Sequence, residues 1–560
     1  MGARVDRKKK KEINIVNEDN QYRMYITGIV FTVLLFALMI RLFYIQIIKG
    51  SEYYTCAKNQ WLKEIPVGIE RGKIYDRNRI PLTNREEKKY LVIFPQYFKK
   101  SDANIKLISD LTKIDSYKLK NGKLNSTRPI KLEIKNDHEK IMKKVMLIKG
   151  VYPVDYNDRY DEEAIATHVI GYINKIDNRG EKGIEKMFDR ELKENQVCKV
   201  NAVVDAQKKM IPGLGYKKLE IAPVKNRKNI VTTLDYNIQK IAEEEFDKFH
   251  KNGSVVILDA KSGEILAMVS RPNYDQNNIA AYLKSNNKEL YNRAIQMGYP
   301  PGSIFKIIVA AAALENKIIN DESFFCKGYE EIAGTKIKCW SFDKGGHGKL
   351  TFEEAFAVSC NSAFIQLGEK IGGERILNMA KKFGLGAKTN IGLQEEIAGK
   401  LSSDDYIKGA GIGNFSIGQG TLEVTPLQIA KITAIIANDG IDTGVYLIKE
   451  VVDDYGNIVK KIEKNKPQKV ISYKTAKKIQ RMMEKVVKGG TARNMGLGRV
   501  AGKTGSAQAN LKGKEIIHAW FTGYFPSDEP KFVITIVVED GVSGGQSAVP
   551  IFKNIKERID

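Results

Sequence analysis

Ser303-Ile304-Phe305-Lys306, Ser359-Cys360-Asn361 and Lys503-Thr504-Gly505-Ser506 follow one another along this chain, and their order decides how it is read. The first patch sets a serine and a lysine three positions apart, on one face of a helix, so Lys306 can reach back over Ser303. A serine hydroxyl is a poor nucleophile until a neighbouring base takes its proton. Lysine is such a base only when partly neutral; burial and a second cation both push it that way, and Lys503 supplies the cation. Tyr299-Pro300-Pro301-Gly302 breaks the backbone, and Ile304 to Leu314 is almost wholly apolar. This predicts a turn feeding a buried helix with Ser303 in its first turn, where free amide N–H groups can meet an oxyanion. The second patch ends a helical period running from Leu350 to Val358; Ser359 can relay a proton and Asn361 can bind a substrate amide. The third precedes two β-rich runs, Ala519–Phe525 and Phe532–Val538, separated by Pro526 and Pro530. Lys503 is thus expected on a strand, able to align an acyl substrate by edge pairing. The chemistry implied is acyl transfer through a serine with no histidine triad.

Each patch has a blander reading. S-x-x-K arises by chance, and Ser285-Asn286-Asn287-Lys288 matches it too, but in a polar stretch that reads as a solvated loop. Ser359 and Asn361 could be ordinary helix caps. Three patches in order, each in suitable surroundings, favour the catalytic reading.

The combination resembles the set found in penicillin-binding proteins and class A β-lactamases. Other segments narrow the resemblance to class B penicillin-binding proteins, the monofunctional D,D-transpeptidases of bacterial cell-wall synthesis. Glu70-Arg71-Gly72-Lys73-Ile74-Tyr75-Asp76-Arg77-Asn78 is similar to the segment that follows the membrane anchor in that family. His168-Val-Ile-Gly171-Tyr172 and Gly180-Glu-Lys-Gly183-Ile-Glu185 are similar to its pedestal signatures. Gly418-Gln419-Gly420 with Thr425-Pro426-Leu427-Gln428 is similar to a segment between its second and third motifs. The resemblance implies an α+β fold: a penicillin-binding/β-lactamase-like transpeptidase domain, an antiparallel sheet flanked by helices, on an elongated N-terminal pedestal with one transmembrane helix. It implies that Ser303 is acylated, Lys306 is the general base, and Ser359 and Asn361 serve proton transfer and substrate binding. Lys503 and Thr504 would hold the substrate carboxylate; Gly505 and Ser506 complete the strand, with the N–H groups of Ser303 and Ser506 as the oxyanion hole. Two departures stand out: Arg79 where the family usually has glycine, and Ser506 in place of the commoner threonine.

At 560 residues the chain is too long for one core. Met24–Ile40 is uncharged and mostly apolar, Leu42–Ile48 extends it past Arg41, and the run is long enough to span a bilayer. Arg4, Arg7, Lys8, Lys9, Lys10, Lys11 and Arg23 precede it, which keeps the N-terminus cytoplasmic. No obvious A-x-A site follows, so an uncleaved anchor is expected, with the catalytic part outside the cytoplasmic membrane. The expected division is 1–22 cytoplasmic tail, 23–48 anchor, 49–225 pedestal of the dimerisation type and 226–560 transpeptidase, the last boundary drawn at the shift near Lys225-Asn-Arg-Lys-Asn. A net charge of +24 raises the question of nucleic acid, but the charge is spread along the chain without a recognition motif. Attraction to anionic lipid or wall polymer accounts for it, and no nucleic-acid partner is expected.

There are five cysteines, Cys56, Cys198, Cys326, Cys339 and Cys360. Cys326 and Cys339 bracket a short loop, and Asp343 and His347 follow at spacings of four. A Cys326–Cys339 disulfide, a structural zinc held by Cys326, Cys339, Asp343 and His347, and neither all remain open. Gly345 and Gly346 argue against one continuous ligand-bearing helix. Catalysis itself is expected to need no cofactor.

The leading expectation is a membrane-anchored enzyme that cross-links peptidoglycan stem peptides through an acyl-enzyme on Ser303 and is blocked there by β-lactam antibiotics. Alternatives are a D,D-carboxypeptidase or β-lactamase on the same fold, or a drug sensor or scaffold. The resemblance also implies a SEDS-type glycosyltransferase and other wall-assembly proteins as partners.

Overall fold

A computed structural model describes residues 3–95, 97–125, 129–175, 177–203, 216–218, 227–319, 322–493, 496–511 and 514–560. The expected boundary at 225/226 and the side chain of Cys198 lie outside the described residues. The chain forms two compact units, each assembled from separated stretches: Met1–Gly68, Lys88–Tyr156 and Val197–Glu220 in one, Ile69–Glu87, Asn157–Gln196 and Ile221–Asp560 in the other. The second unit thus draws in two stretches of the segment 49–225.

In the smaller unit a helix runs from Ala3 to Phe43 and continues as a π-turn over Tyr44–Ile48. Its Asn20–Ile48 portion is long and apolar enough to cross a membrane, and none of its most apolar window is buried against protein. The same unit carries a sheet with Glu87–Ile93 between Ile130–Glu133 and Val151–Asn157. Helix Asp102–Thr112 is started by Ser101, whose hydroxyl accepts from Asn104 N. Ile105, Ile108 and Leu111 on one helical face pack with Leu91, Ile93 and Val151 in a dry core.

The larger unit is built on five antiparallel strands: β1 (Gly253–Asp259), β2 (Ile265–Arg271), β3 (Ala501–Leu511), β4 (Lys514–Phe525) and β5 (Phe532–Val538). Their spatial order is β2-β1-β5-β4-β3, so β3 is an edge. The helices used below are α1 (Lys306–Glu315), α2 (Phe352–Ala357), α3 (Asn361–Ile371), α4 (Pro426–Ala437), α5 (Tyr473–Lys488) and α6 (Val549–Ile559). Alternation along β4 shows how both sheet faces are covered. Phe521 and Phe525 meet Phe552 of α6, whereas Thr522, pointing the other way, hydrogen-bonds Thr433 of α4 and Thr535 of β5. The hairpin expected around Lys261-Ser-Gly is present as β1–β2, and the two expected C-terminal strands are β4 and β5.

The segment around Arg71 explains why residues so far from the catalytic patches belong to this unit. Ile74–Tyr75 pairs in parallel with Ile230–Val231. Buried Asp76 then ties the turn, its carboxylate accepting from the backbone N–H groups of Asn78, Ile80 and Tyr236. Arg71 and Arg159 both donate to the buried Glu185 carboxylate, at 2.9 and 2.6 Å, and Tyr160 adds a third donor at 2.9 Å. A lone carboxylate at that depth would be prohibitively costly; here it is paired twice. Arg79 takes φ +65°, a left-handed conformation that favours glycine, and its guanidinium pairs with Glu450 at 3.1 Å.

Candidate active site

The turn before Ser303 is imposed by sterics. Gly302 has φ +53°, and a Cβ there would stand 3.0 Å from Ser506 O. The chain follows a 3₁₀ turn over Gly302–Phe305 into α1, so Ser303 sits in a tighter turn than the α-helix expected, packed against β3. Helix α1 follows, buried from Lys306 to Ala313 as the apolar run predicts.

The three patches converge on one cavity of about 610 Å³, lined by Ser303, Ser359, Asn361, Thr504, Gly505 and Ser506 among others. Lys306 and Lys503 lie beneath it, both fully buried. Lys306 Nζ donates to Ser359 O at 2.8 Å, to Asn361 Oδ1 at 2.8 Å and to Ser359 Oγ at 3.3 Å. It does not reach back to Ser303 as the spacing suggests; the amine is turned across to the second patch. Lys503 Nζ donates to Ser359 Oγ at 2.9 Å and to Thr504 O at 3.1 Å. One hydroxyl therefore accepts from two buried amines. Ser359 itself is held at φ +55°, an uncommon conformation for a residue with a side chain, between the end of α2 and the start of α3.

Two ammonium groups cannot share so buried a site comfortably. Burial pulls Lys306 down to about 8, against an opposing pull from Cys360 and Cys339. Burial, and then the charge of Lys306, holds Lys503 well below the ordinary lysine range. The arrangement brings Lys306 close enough to physiological pH that a fraction of its amine is neutral.

Strand β3 presents the third patch at the sheet edge, with Lys503 opposite Thr522, Thr504 opposite Phe521 and Gly505 opposite Trp520 on β4. Thr504 is fixed by a 2.5 Å hydrogen bond between its hydroxyl and that of Thr491. Ser506 Oγ accepts from Gly544 N at 3.2 Å, so the serine that stands where threonine is commoner has a partner for its hydroxyl. Thr491 escaped the sequence reading; its Gly489-Gly490 neighbours signal only a turn after α5. The second S-x-x-K match lies in a surface turn, where Ser285 Oγ donates to Glu289.

The cysteine cluster differs from expectation at two points. Cys326 and Cys339 are free thiols, so the candidate disulfide is absent from the structure. The group brought together is Cys326, Cys339, His347 and Cys360, with ligand atoms all within 4.8 Å of one another; Asp343 is not among them. Asp343 points outward on the turn Phe342–Lys344. Gly345 and Gly346, at φ +80° and +92°, then reverse the chain and return His347 to the thiols. His347 Nδ1 lies 3.5 Å from Cys326 Sγ and 3.6 Å from Cys339 Sγ, and Cys339 Sγ lies 4.0 Å from Cys360 Sγ. A tetrahedral zinc with ordinary bond lengths would place sulfur and nitrogen about 3.6 Å apart and two sulfurs about 3.8 Å apart. The donor set fits that ion. Cys360 stands between Ser359 and Asn361, so whatever occupies the cluster braces the catalytic patch directly.

Comparison with known proteins agrees with this geometry. The model of the penicillin binding protein transpeptidase domain matches residues 253–557, and that of the penicillin-binding protein dimerisation domain matches 66–218. The chain is 33% identical to Stage V sporulation protein D of Bacillus subtilis, over 92% of this chain and 82% of that one. It is 28% identical to the peptidoglycan D,D-transpeptidase MrdA of Haemophilus influenzae, over 95% and 89% respectively. Among solved structures, penicillin binding protein 3 of Mycobacterium tuberculosis superposes with a TM-score of 0.63 at 25% identity, covering 88% of this chain and 96% of that one. A chain from a peptidoglycan synthase complex superposes with a TM-score of 0.70 at 24% identity, covering 96% and 98%, a likeness of fold. With the transpeptidase model spanning more than half of its length and the dimerisation model in front of it, the chain belongs to the class B penicillin-binding proteins, the peptidoglycan D,D-transpeptidases.

Proposed function

We propose that Ser303 is the acylated nucleophile of a membrane-anchored transpeptidase acting on peptidoglycan stem peptides. The observation that carries this is the Ser359 hydroxyl, which accepts from both buried lysines at 2.9 and 3.3 Å and so links the base to the leaving group. Ser303 Oγ attacks the carbonyl carbon of the penultimate D-alanine and gives its proton to the neutral fraction of Lys306, whose amine turns back from Ser359 and Asn361 to take it. The oxyanion accepts from the N–H groups of Ser303 and Ser506; losing one such donor typically costs about 10²–10³ in rate. Collapse breaks the peptide bond, and the departing D-alanine amine takes its proton from the Lys306–Ser359–Lys503 chain. An acceptor amine then displaces Ser303 from the ester, forming the cross-link and returning a proton to the serine oxygen. A β-lactam enters the same way, but its opened ring stays tethered and blocks the ester.

Three further readings accompany this one. A zinc held by Cys326, Cys339, His347 and Cys360 would fasten the second patch from behind and take no part in acyl transfer. The Arg- and Lys-rich start of the chain would stay cytoplasmic, leaving the larger unit on the opposite side of the membrane. There a SEDS-type glycosyltransferase would be the partner, a reading supported by the likeness to a chain of a peptidoglycan synthase complex. The reaction is tested by D-alanine release from an acyl-D-alanyl-D-alanine peptide. Wild type should release D-alanine and pass the acyl group to an added amine, and Ser303→Ala should do neither; equal release by the variant would overturn the assignment of Ser303.

A further inference from the structure

Helix α5 carries five basic side chains at a spacing that its packing does not need. Lys474, Lys478, Arg481, Lys485 and Lys488 follow one another at intervals of four, three, four and three, which sets them in one row along one helical face. At about 1.5 Å per residue the row is about 21 Å long. The opposite face holds the helix in place: Ile479, Met482, Met483, Val486 and Val487 are buried. Lys478 is half-buried and the other four members of the row are exposed. Lys474, Lys478 and Arg481 have no side-chain hydrogen bond or ion pair among the described residues. Lys485 pairs at the surface with Glu353, and Lys488 with Glu484 at 2.9 Å.

Such a row costs the helix stability. Each neighbouring pair in it is a like-charge pair three or four residues apart, and surface pairs such as Lys488–Glu484 offset little of that repulsion. Solvation of the face would be met as well by charges of both signs. A continuous row of one sign is complementary to a chain of negative charges. Its shape selects among them. The row is one residue wide, and the carboxylates of Asp439, Glu353 and Glu484 stand beside it, holding Lys477, Lys485 and Lys488. A flat anionic bilayer would press against those carboxylates too, whereas a single polymer strand follows the row. Four of the five cations are lysines, point charges without the planar fork that matches a carboxylate, and this suits tetrahedral phosphate. The row is separate from the catalytic cavity: the chain that follows it, Gly489 to Arg493, lines that cavity, and none of the five does.

We infer that the exposed face of α5 is a docking track for an anionic wall polymer built of phosphodiester repeats, with phosphates set against the cations of the row. A strand lying there runs along α5 toward the loop at the cavity and tethers the enzyme to the wall without taking part in acyl transfer. The encounter with a wall polymer rests on the proposed place of the larger unit outside the cytoplasmic membrane. Binding measured in solution depends neither on that place nor on the assignment of Ser303.

The test uses the full chain in nanodiscs of zwitterionic lipid and a fluorescent, lipid-free poly(glycerol phosphate) as probe, followed by anisotropy across a salt series. Wild type should bind, and Lys474→Gln/Lys478→Gln/Arg481→Gln should bind at least about tenfold more weakly at low salt. The slope of log Kd against log salt should fall by about 2 in that variant, the share of three phosphate contacts on a single strand, and by about 0.7 in Arg481→Gln alone. Lys460→Gln/Lys461→Gln/Lys466→Gln removes the same charge from another exposed segment and should leave both quantities near wild type. Because the removed charges of the row repel one another, its triple variant should unfold at no lower temperature than wild type; a clear drop would show that the row serves the fold and would overturn the track. No binding by wild type, or equal weakening in the two triple variants, overturns it as well. So does displacement of the probe by phosphatidylglycerol vesicles as effectively as by unlabelled polymer, which would make the face a lipid contact.

Discussion

Lys306→Met removes the proposed base and, with it, a buried ammonium. Below about pH 8 the Lys306 amine is charged in both the folded and the unfolded chain, so the wild type bears the whole cost of burying it. Between about 8 and 10.5 the folded amine is neutral while the unfolded one is still charged, and the cost falls as pH rises. Above 10.5 both are neutral and the cost is gone. At about 1.4 kcal/mol per pKa unit, the gap is worth about 3 kcal/mol. Methionine also strips a donor from buried Ser359 O, a penalty of about 1–3 kcal/mol, and one from half-buried Asn361 Oδ1, which the cavity leaves open to water. That penalty does not change with pH in this window, so the slope carries the prediction. Relative to wild type, the variant should gain about 3 kcal/mol as pH falls from 10.5 to about 8, and no more below, while acylation is lost. Urea unfolding at a series of pH values, followed through buried Trp520, measures this directly. A stability difference flat across the window would mean that Lys306 keeps an ordinary pKa and is no base near neutrality.

Other perturbations reach the site from different sides. Cys360→Ser should cost the purified protein its stoichiometric zinc, read by elemental analysis, and slow acylation because Ser359 and Asn361 flank the change; wild type carrying no zinc would contradict the cluster reading. Gly302→Ala forces a side chain into φ +53° and toward Ser506 O, a strain of about 1–3 kcal/mol, and should lower the unfolding temperature and slow β-lactam acylation; a variant that acylates at the wild-type rate would show that the turn is not what aims Ser303.

The parts of this site that follow short-range rules are readable in the sequence. The Pro-Pro-Gly turn before Ser303, the apolar helix after it and the strand carrying Lys503 all appear where local pattern puts them. What is not readable depends on long-range folding. Spacing places Lys306 over Ser303, yet Lys306 meets Ser359 and Asn361, because tertiary packing brings the second patch within reach of its long side chain. Cys360 was hidden inside a motif whose flanking residues already had roles, and only the reversal at Gly345 and Gly346 shows that it, and not Asp343, completes the cluster. The Arg71 and Glu185 signatures are legible as motifs, but their ion pair joins stretches 114 residues apart, which no window along the chain reveals. Thr491 and Arg493 carry no pattern at all; their place comes from carbonyls at the end of α2.

The central claim is that Ser303 forms the acyl-enzyme, and intact-protein mass spectrometry after addition of a β-lactam tests it most directly. The account predicts a single adduct of the drug's mass on wild type, persisting for hours and absent from Ser303→Ala. An adduct that forms and clears within seconds with consumption of drug would make the protein a β-lactamase, and an adduct retained by Ser303→Ala would contradict the assignment outright.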